Sequence, residues 1–205
     1  MVIDIIIMTL KAIEFYLPES RPYGYTYGQW TVKWWEWAMS ISKDKNPIVD
    51  TTGENAAISN NDPDVFFLAG TLGGAEVERT CEVSENKSIL FPVINYEVNF
   101  HDDPEFRTDQ ELIKAVKKDI DDILNLETVI DGQKLPIYRI SSDPPIFKFE
   151  DSFDSTKETK PKWASSDGYW AFLKPLPEGR HHLYFAGSCS AATRNVKASY
   201  EITAT

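Results

Sequence analysis

The sequence predicts a mainly β domain, an antiparallel β-sandwich or jelly-roll-like fold with two attached α-helices. Three observations carry that expectation. Many short apolar runs are separated by turn signals. Several runs alternate apolar and polar residues, the period of a half-buried strand. Only two stretches, about 26–42 and 108–124, show helical spacing behind a capping box. The 205 residues suggest one domain spanning 1–205, with 1–22 as an N-terminal strand and entry segment and 151–166 as a polar loop insertion.

The elements follow in chain order. "MVIDIIIMTL" lacks a basic leading region and a small-residue cleavage site, so it reads as a short strand rather than an export signal. "YLPESRPYGY" is a proline-punctuated entry loop. Thr26 and Gln29 form a T-x-x-Q capping box, and the helix behind it packs Trp30, Trp34, Trp35 and Trp37 into a broad apolar arc. Its polar stripe, Gln29, Lys33, Glu36 and Ser40, is narrow. The rings therefore read as core that fastens a buried helix to a sheet. A sugar platform is the sharper alternative, and a membrane anchor is disfavoured because the polar face offers only Lys33 as a base.

"VFFLAG" (residues 65–70) is continuously apolar, as for a strand covered on both faces. In "AEVERTCEV", Val77, Cys81 and Val83 point one way, and Glu76, Glu78, Thr80 and Glu82 the other. Pro92 in "SILFPVINYEV" requires an edge or a bulge. Thr108 and Glu111 cap the second helix, and Asp131-Gly132 is a hairpin turn. "PPIFKFEDS" is a short strand, and "DSTKETKPKWASS" reads as a polar loop. "GYWAFL", "RHHLYFAG" and "NVKASYEIT" close the fold, the last with Val196, Ala198, Tyr200 and Ile202 inward.

Composition narrows the partners. The formal net charge of −11 disfavours nucleic acid and anionic surfaces and suits a cationic ligand or a metal ion. No apolar run is long enough for a membrane-spanning helix. Cys81 and Cys189 allow either one disulfide or two buried thiols.

One group of motifs resembles a family of uncharacterised, mostly exported prokaryotic β-sandwich-like proteins. It comprises Trp30-x3-Trp34-Trp35-x-Trp37, Asn46-Pro47-x2-Asp50-x-Thr52-Gly53, Phe67-Leu68-Ala69-Gly70-Thr71 and Arg79-Thr80-Cys81. Phe91-Pro92-x2-Asn95, Asp167-Gly168-Tyr169-Trp170 and Gly179-x-His181-x3-Phe185-x-Gly187 complete it. The resemblance implies an extracytoplasmic β-rich domain and no mechanism. A family cysteine shortly after the Thr-Gly pair is absent from "ENAAIS", so a pairing of Cys81 within the chain would need Cys189.

Chemistry-bearing candidates are few. "NYEVNFHDD" crowds Asn95, Glu97, His101, Asp102 and Asp103 at a strand end, a set of oxygens and one imidazole that could hold calcium or a divalent transition metal, with His181 as a further ligand. A solvated acidic loop explains the same residues. Adjacent His181 and His182 should face opposite ways in a strand. Ser165, Ser166 and Asp167 match no nucleophile elbow and read as a turn, and Glu76, Glu78 and Glu82 read as a solvated sheet face. Two functions follow. The leading one is a non-catalytic binding or surface-assembly module without cofactor, binding a carbohydrate through Trp163, Tyr169 or Trp170, or a protein partner. The alternative is a metal-dependent hydrolase built on His101, Asp102 or Asp103 with His181 or His182.

Overall fold

The computed structural model describes residues 12–154, 160–190 and 194–205. The expected strand at 1–10 lies outside these residues. The helices are α1 (Tyr27–Met39) and α2 (Asp109–Asp121). The strands are β1 (Val65–Phe67), β2 (Val77–Val83), β3 (Ser88–Asn99), β4 (Ile123–Ile130), β5 (Gln133–Lys134), β6 (Tyr138–Ser141), β7 (Phe147–Asp151), β8 (Lys160–Leu173), β9 (Gly179–Cys189) and β10 (Arg194–Ala204).

Two five-stranded sheets form. One runs β1-β3-β8-β6, with β7 also on β8; the other runs β2-β10-β9-β4-β5. Both are mixed rather than antiparallel, because β1 runs parallel to β3 and β2 runs parallel to β10. The cause in each case is a long excursion between partners, which returns the chain in the same direction. For β1, a parallel strand covered on both faces matches its unbroken apolar run: Phe66 enters the core between the sheets, while Val65 and Phe67 face α1.

The core between the sheets is built from alternate residues. Phe91, Val93, Ala171 and Leu173 come from one sheet, and Cys81, Val83, Phe185, Ala198, Tyr200 and Ile202 from the other. The opposite face of the first sheet carries Phe67, Leu90, Trp170 and Phe172, and α1 covers it. Farther along the sheet, α2 covers Val98 with Leu112 and Val116.

Both capping boxes form with reciprocal hydrogen bonds, Thr26 with Gln29 and Thr108 with Glu111. The Asp131-Gly132 turn has positive φ at both residues (49° and 79°), as a two-residue hairpin of that hand requires. Pro92 sits at a register shift between Pro92 and Ile94, so the bulge expected from its missing N–H is present.

Two boundaries differ from expectation. The second helix stops at Asp121, and Ile123 opens β4 opposite Cys189. Ile123 and Leu124 continue the apolar helical spacing, but sheet pairing claims this segment and leaves Leu124 exposed. Of the expected polar loop at 151–166, residues 155–159 lie outside the described residues, while Lys160–Ala164 pair with β7 as part of β8.

The four tryptophans of α1 are buried, Trp30 at 1%, Trp34 at 2%, Trp35 at 8% and Trp37 at 6% exposure. Three indole N–H groups donate to backbone carbonyls: Trp30 to Pro22, Trp34 to Leu68 and Trp37 to Ile58. Trp34 also meets Trp170 edge to face at 5.5 Å. These rings fasten the helix to the sheet. Among the described residues no helix is long and apolar enough to cross a membrane.

Candidate functional site

A small pocket opens where β1 stops short along β3. Strand β1 pairs only with residues 88–90. The chain then turns away at Gly70–Leu72, and that side of β3 has no strand partner farther on among the described residues. Pro92 suits this margin because it has no N–H to leave unpaired. The pocket measures about 160 Å³, close to the ~150 Å³ of a cavity that admits benzene. Trp34, Trp35 and Met39 of α1 form one wall; Pro92 to Glu97 of β3 form another, with Ile48, Leu72, Phe153 and Val196 around them.

Buried side-chain polar atoms without a hydrogen-bond partner among the described residues are Tyr27 Oη, Trp35 Nε1, Asn95 Nδ2, Thr128 Oγ1 and Trp170 Nε1; Trp35 and Asn95 line the slot, but these two atoms are themselves closed off from solvent. A buried donor left unpaired costs roughly 1–3 kcal/mol. Three larger depressions, lined around Pro175, Phe106 and Ala75, contain no such donor among the described residues.

At one end of the pocket stands Glu97. Burial pushes its carboxyl up to about 7; Asn99 and Lys162 pull the other way, and Asp102 and Asp103 add to the rise. Asn99, 1% exposed, organises the turn beyond it. Its Nδ2 donates to both Glu97 oxygens (3.3 and 3.2 Å) and to Asp102 Oδ2 (3.0 Å). Its Oδ1 accepts from the backbone N–H of His101 and of Asp102. Lys162 on β8 bridges Asp102 and Asp151 at 2.5 and 2.6 Å. Burial raises the Asp102 carboxyl, but Lys162, Asn99 and His101 together hold it well below the usual carboxylate range.

The structure thus gathers much of the "NYEVNFHDD" cluster, though with different bonding from a metal site. His101 is exposed and pairs through Nδ1 with Asp102 at 3.0 Å. Asp103 Oδ2 accepts the Asn99 backbone N–H. The ammonium of Lys162 occupies the place beside Asp102 where a cation would sit. His181 lies in the other sheet, buried, with Nδ1 on Asp131 at 2.7 Å and Nε2 on the Pro177 carbonyl at 2.7 Å. His182 is exposed beside Glu201. No group of three or more His, Cys, Asp or Glu among the described residues is arranged to hold a metal ion.

The three rings expected to touch ligand do not form one platform. Trp170 is fully buried under α1. Tyr169, next to it, faces the other side and packs at the margin of the core between the sheets. Trp163 is exposed at 53%, but on β8 opposite Lys148 rather than in a loop. Asp167 is bound by Arg139 (2.7 Å) and Ser141, and Arg139 continues to Asp121 of α2, so "SSDGYW" is a sheet-to-helix tie.

A further cation belongs to the Arg79-Thr80-Cys81 motif. Arg79 is 2% exposed on β2. Its guanidinium donates to the carbonyls of Asp50 (2.8 Å), Ala69 (2.6 Å), Gly70 (3.1 Å) and Ile48 (3.4 Å), and to Tyr200 Oη (2.6 Å). It thereby joins three of the sequence motifs into one knot beside the pocket. Its position shares the inward parity of Val77, Cys81 and Val83, which was the available signal. Nearby, a Cβ on Gly53 would lie 2.2 Å from the Thr80 carbonyl oxygen, and the residue holds φ +93°, so glycine is required there. Cys81 and Cys189 are both buried and free.

Neither a family model, nor a curated protein, nor a solved structure matches the chain.

Proposed function

We propose that the protein is a non-catalytic binding module whose ligand enters the pocket between α1 and β3. An apolar slot of about 160 Å³ walled by Trp34 and Trp35, with Asn95 and Glu97 among its lining residues, carries this reading. A few polar groups in a mostly apolar concavity are the usual composition of a small-molecule site. An extracytoplasmic setting belongs to the proposal and rests on the motif resemblance. A carbohydrate fits less well, since of the three rings expected to touch it, Trp163, Tyr169 and Trp170, only Trp163 is exposed.

Ligand-observed NMR with a library of benzene-sized fragments tests the reading. Hits on the wild-type protein should vanish in Met39→Trp, which adds a bulky ring at a partly buried position on the lining of the slot. An absence of hits, or hits that a folded Met39→Trp retains, would count against the pocket.

A further inference from the structure

The charge around the pocket specifies more than its volume does. Glu97 lines the slot. Behind it, the turn after β3 contributes Asp102 and Asp103, and the end of β7 contributes Asp151. Against these stand Lys162 of β8, already held by Asp102 and Asp151, and His101, held by Asp102. The residues of α1 that line the pocket, Trp34, Trp35 and Met39, carry no charge. Glu97 is therefore the one carboxylate among the lining residues, and among the described residues Asn99 is its side-chain hydrogen-bond donor. Aromatic faces on the wall attract cations as well, and the chain as a whole is anionic.

We infer that the pocket takes a small organic cation, an amine on an apolar body of about benzene size, with the ammonium on Glu97 and the body against Trp34 and Trp35. The inference rests on the binding-module reading above and adds the sign of the ligand. A carboxylate ligand would meet Glu97 in the slot, with Asp102 and Asp103 behind it. At pH 8, where Glu97 is ionised, a neutral ligand would leave its charge uncompensated in an apolar slot, where an unpaired charge is costly.

Isothermal titration with three probes of nearly equal shape separates the cases: benzylamine, benzyl alcohol and benzoate. Benzylamine should bind roughly tenfold or more tighter than benzyl alcohol, and benzoate should not bind. Glu97→Gln keeps the shape and should erase the preference for benzylamine without lowering the affinity for benzyl alcohol. If benzyl alcohol binds wild type as tightly as benzylamine, the cation inference falls and the binding pocket stands. If benzoate binds best, the inference falls in the same way. If none of the three binds, both readings fall.

Discussion

Glu97 should make the protein less stable as the solution becomes more alkaline, and Glu97→Gln should remove that loss. The carboxyl ionises at about 7 in the folded chain, against an ordinary value of 4.5. Burial is the main cause, so the folded state disfavours the charged form. Below about 4.5 both folded and unfolded chains hold the proton, and Glu97 costs nothing. Between about 4.5 and 7 the unfolded chain releases its proton first, and stability falls as pH rises. Above 7 the penalty is fully present. The whole shift corresponds to roughly 3 kcal/mol, and water reaching the open side of the pocket reduces it to about 2 kcal/mol. Urea denaturation followed by tryptophan fluorescence, at pH 4.5 and pH 8, measures this. With a slope of about 2 kcal/mol/M, the midpoint of Glu97→Gln should exceed that of wild type by about 1 M at pH 8 and match it at pH 4.5. Equal midpoints at pH 8, or a variant less stable there, would refute the argument that Glu97 is desolvated in the slot.

Three further outcomes are expected. Trp34→Ala removes a ring 2% exposed that bonds the Leu68 carbonyl; it should cost roughly 3–5 kcal/mol in denaturant unfolding, and an unchanged midpoint would mean that α1 is not fastened through that ring. Arg79→Met leaves the carbonyls of Ile48, Asp50, Ala69 and Gly70 without their guanidinium donor; a loss of about 3–5 kcal/mol is expected, with proteolysis of the 46–53 loop as a local readout. Burial pushes the Cys81 thiol up to about 12 against the pull of Arg79; a thiol reagent should therefore label neither Cys81 nor Cys189 in native protein and both in denaturant without reductant, whereas labelling of neither in denaturant would indicate a disulfide.

What the sequence made legible is what short-range rules govern. Each capping box spans three residues, the Asp131-Gly132 turn two, and the alternation of β10 is set residue by residue. Burial of the α1 rings followed from the narrow polar stripe of that helix. Ambiguity entered where one segment fits two periods, as at Ile123 and Leu124, where pairing with β9 decided for strand. Strand direction was not legible, because the partners of β1 and β2 lie distant in sequence or across the fold. Adjacent Tyr169 and Trp170 could have been separated by strand parity, which sends neighbours to opposite faces. The same parity placed Arg79 inward among Val77, Cys81 and Val83. The site itself was half visible. Asn95, Glu97, Asp102 and Asp103 are close in sequence, but Lys162, Asp151 and the Trp34–Trp35 wall reach them only through the folding of β7, β8 and α1 around β3.

The most direct test of the pocket is to follow the indole N–H resonances of the tryptophans in a ¹⁵N-correlated spectrum while benzylamine is titrated into the protein, assigned by single Trp→Phe variants. Trp35, which lines the slot, should shift progressively and saturably, while exposed Trp163 stays in place. A shift of Trp163 with Trp35 unmoved would put binding on the outer surface of β8 and contradict the pocket.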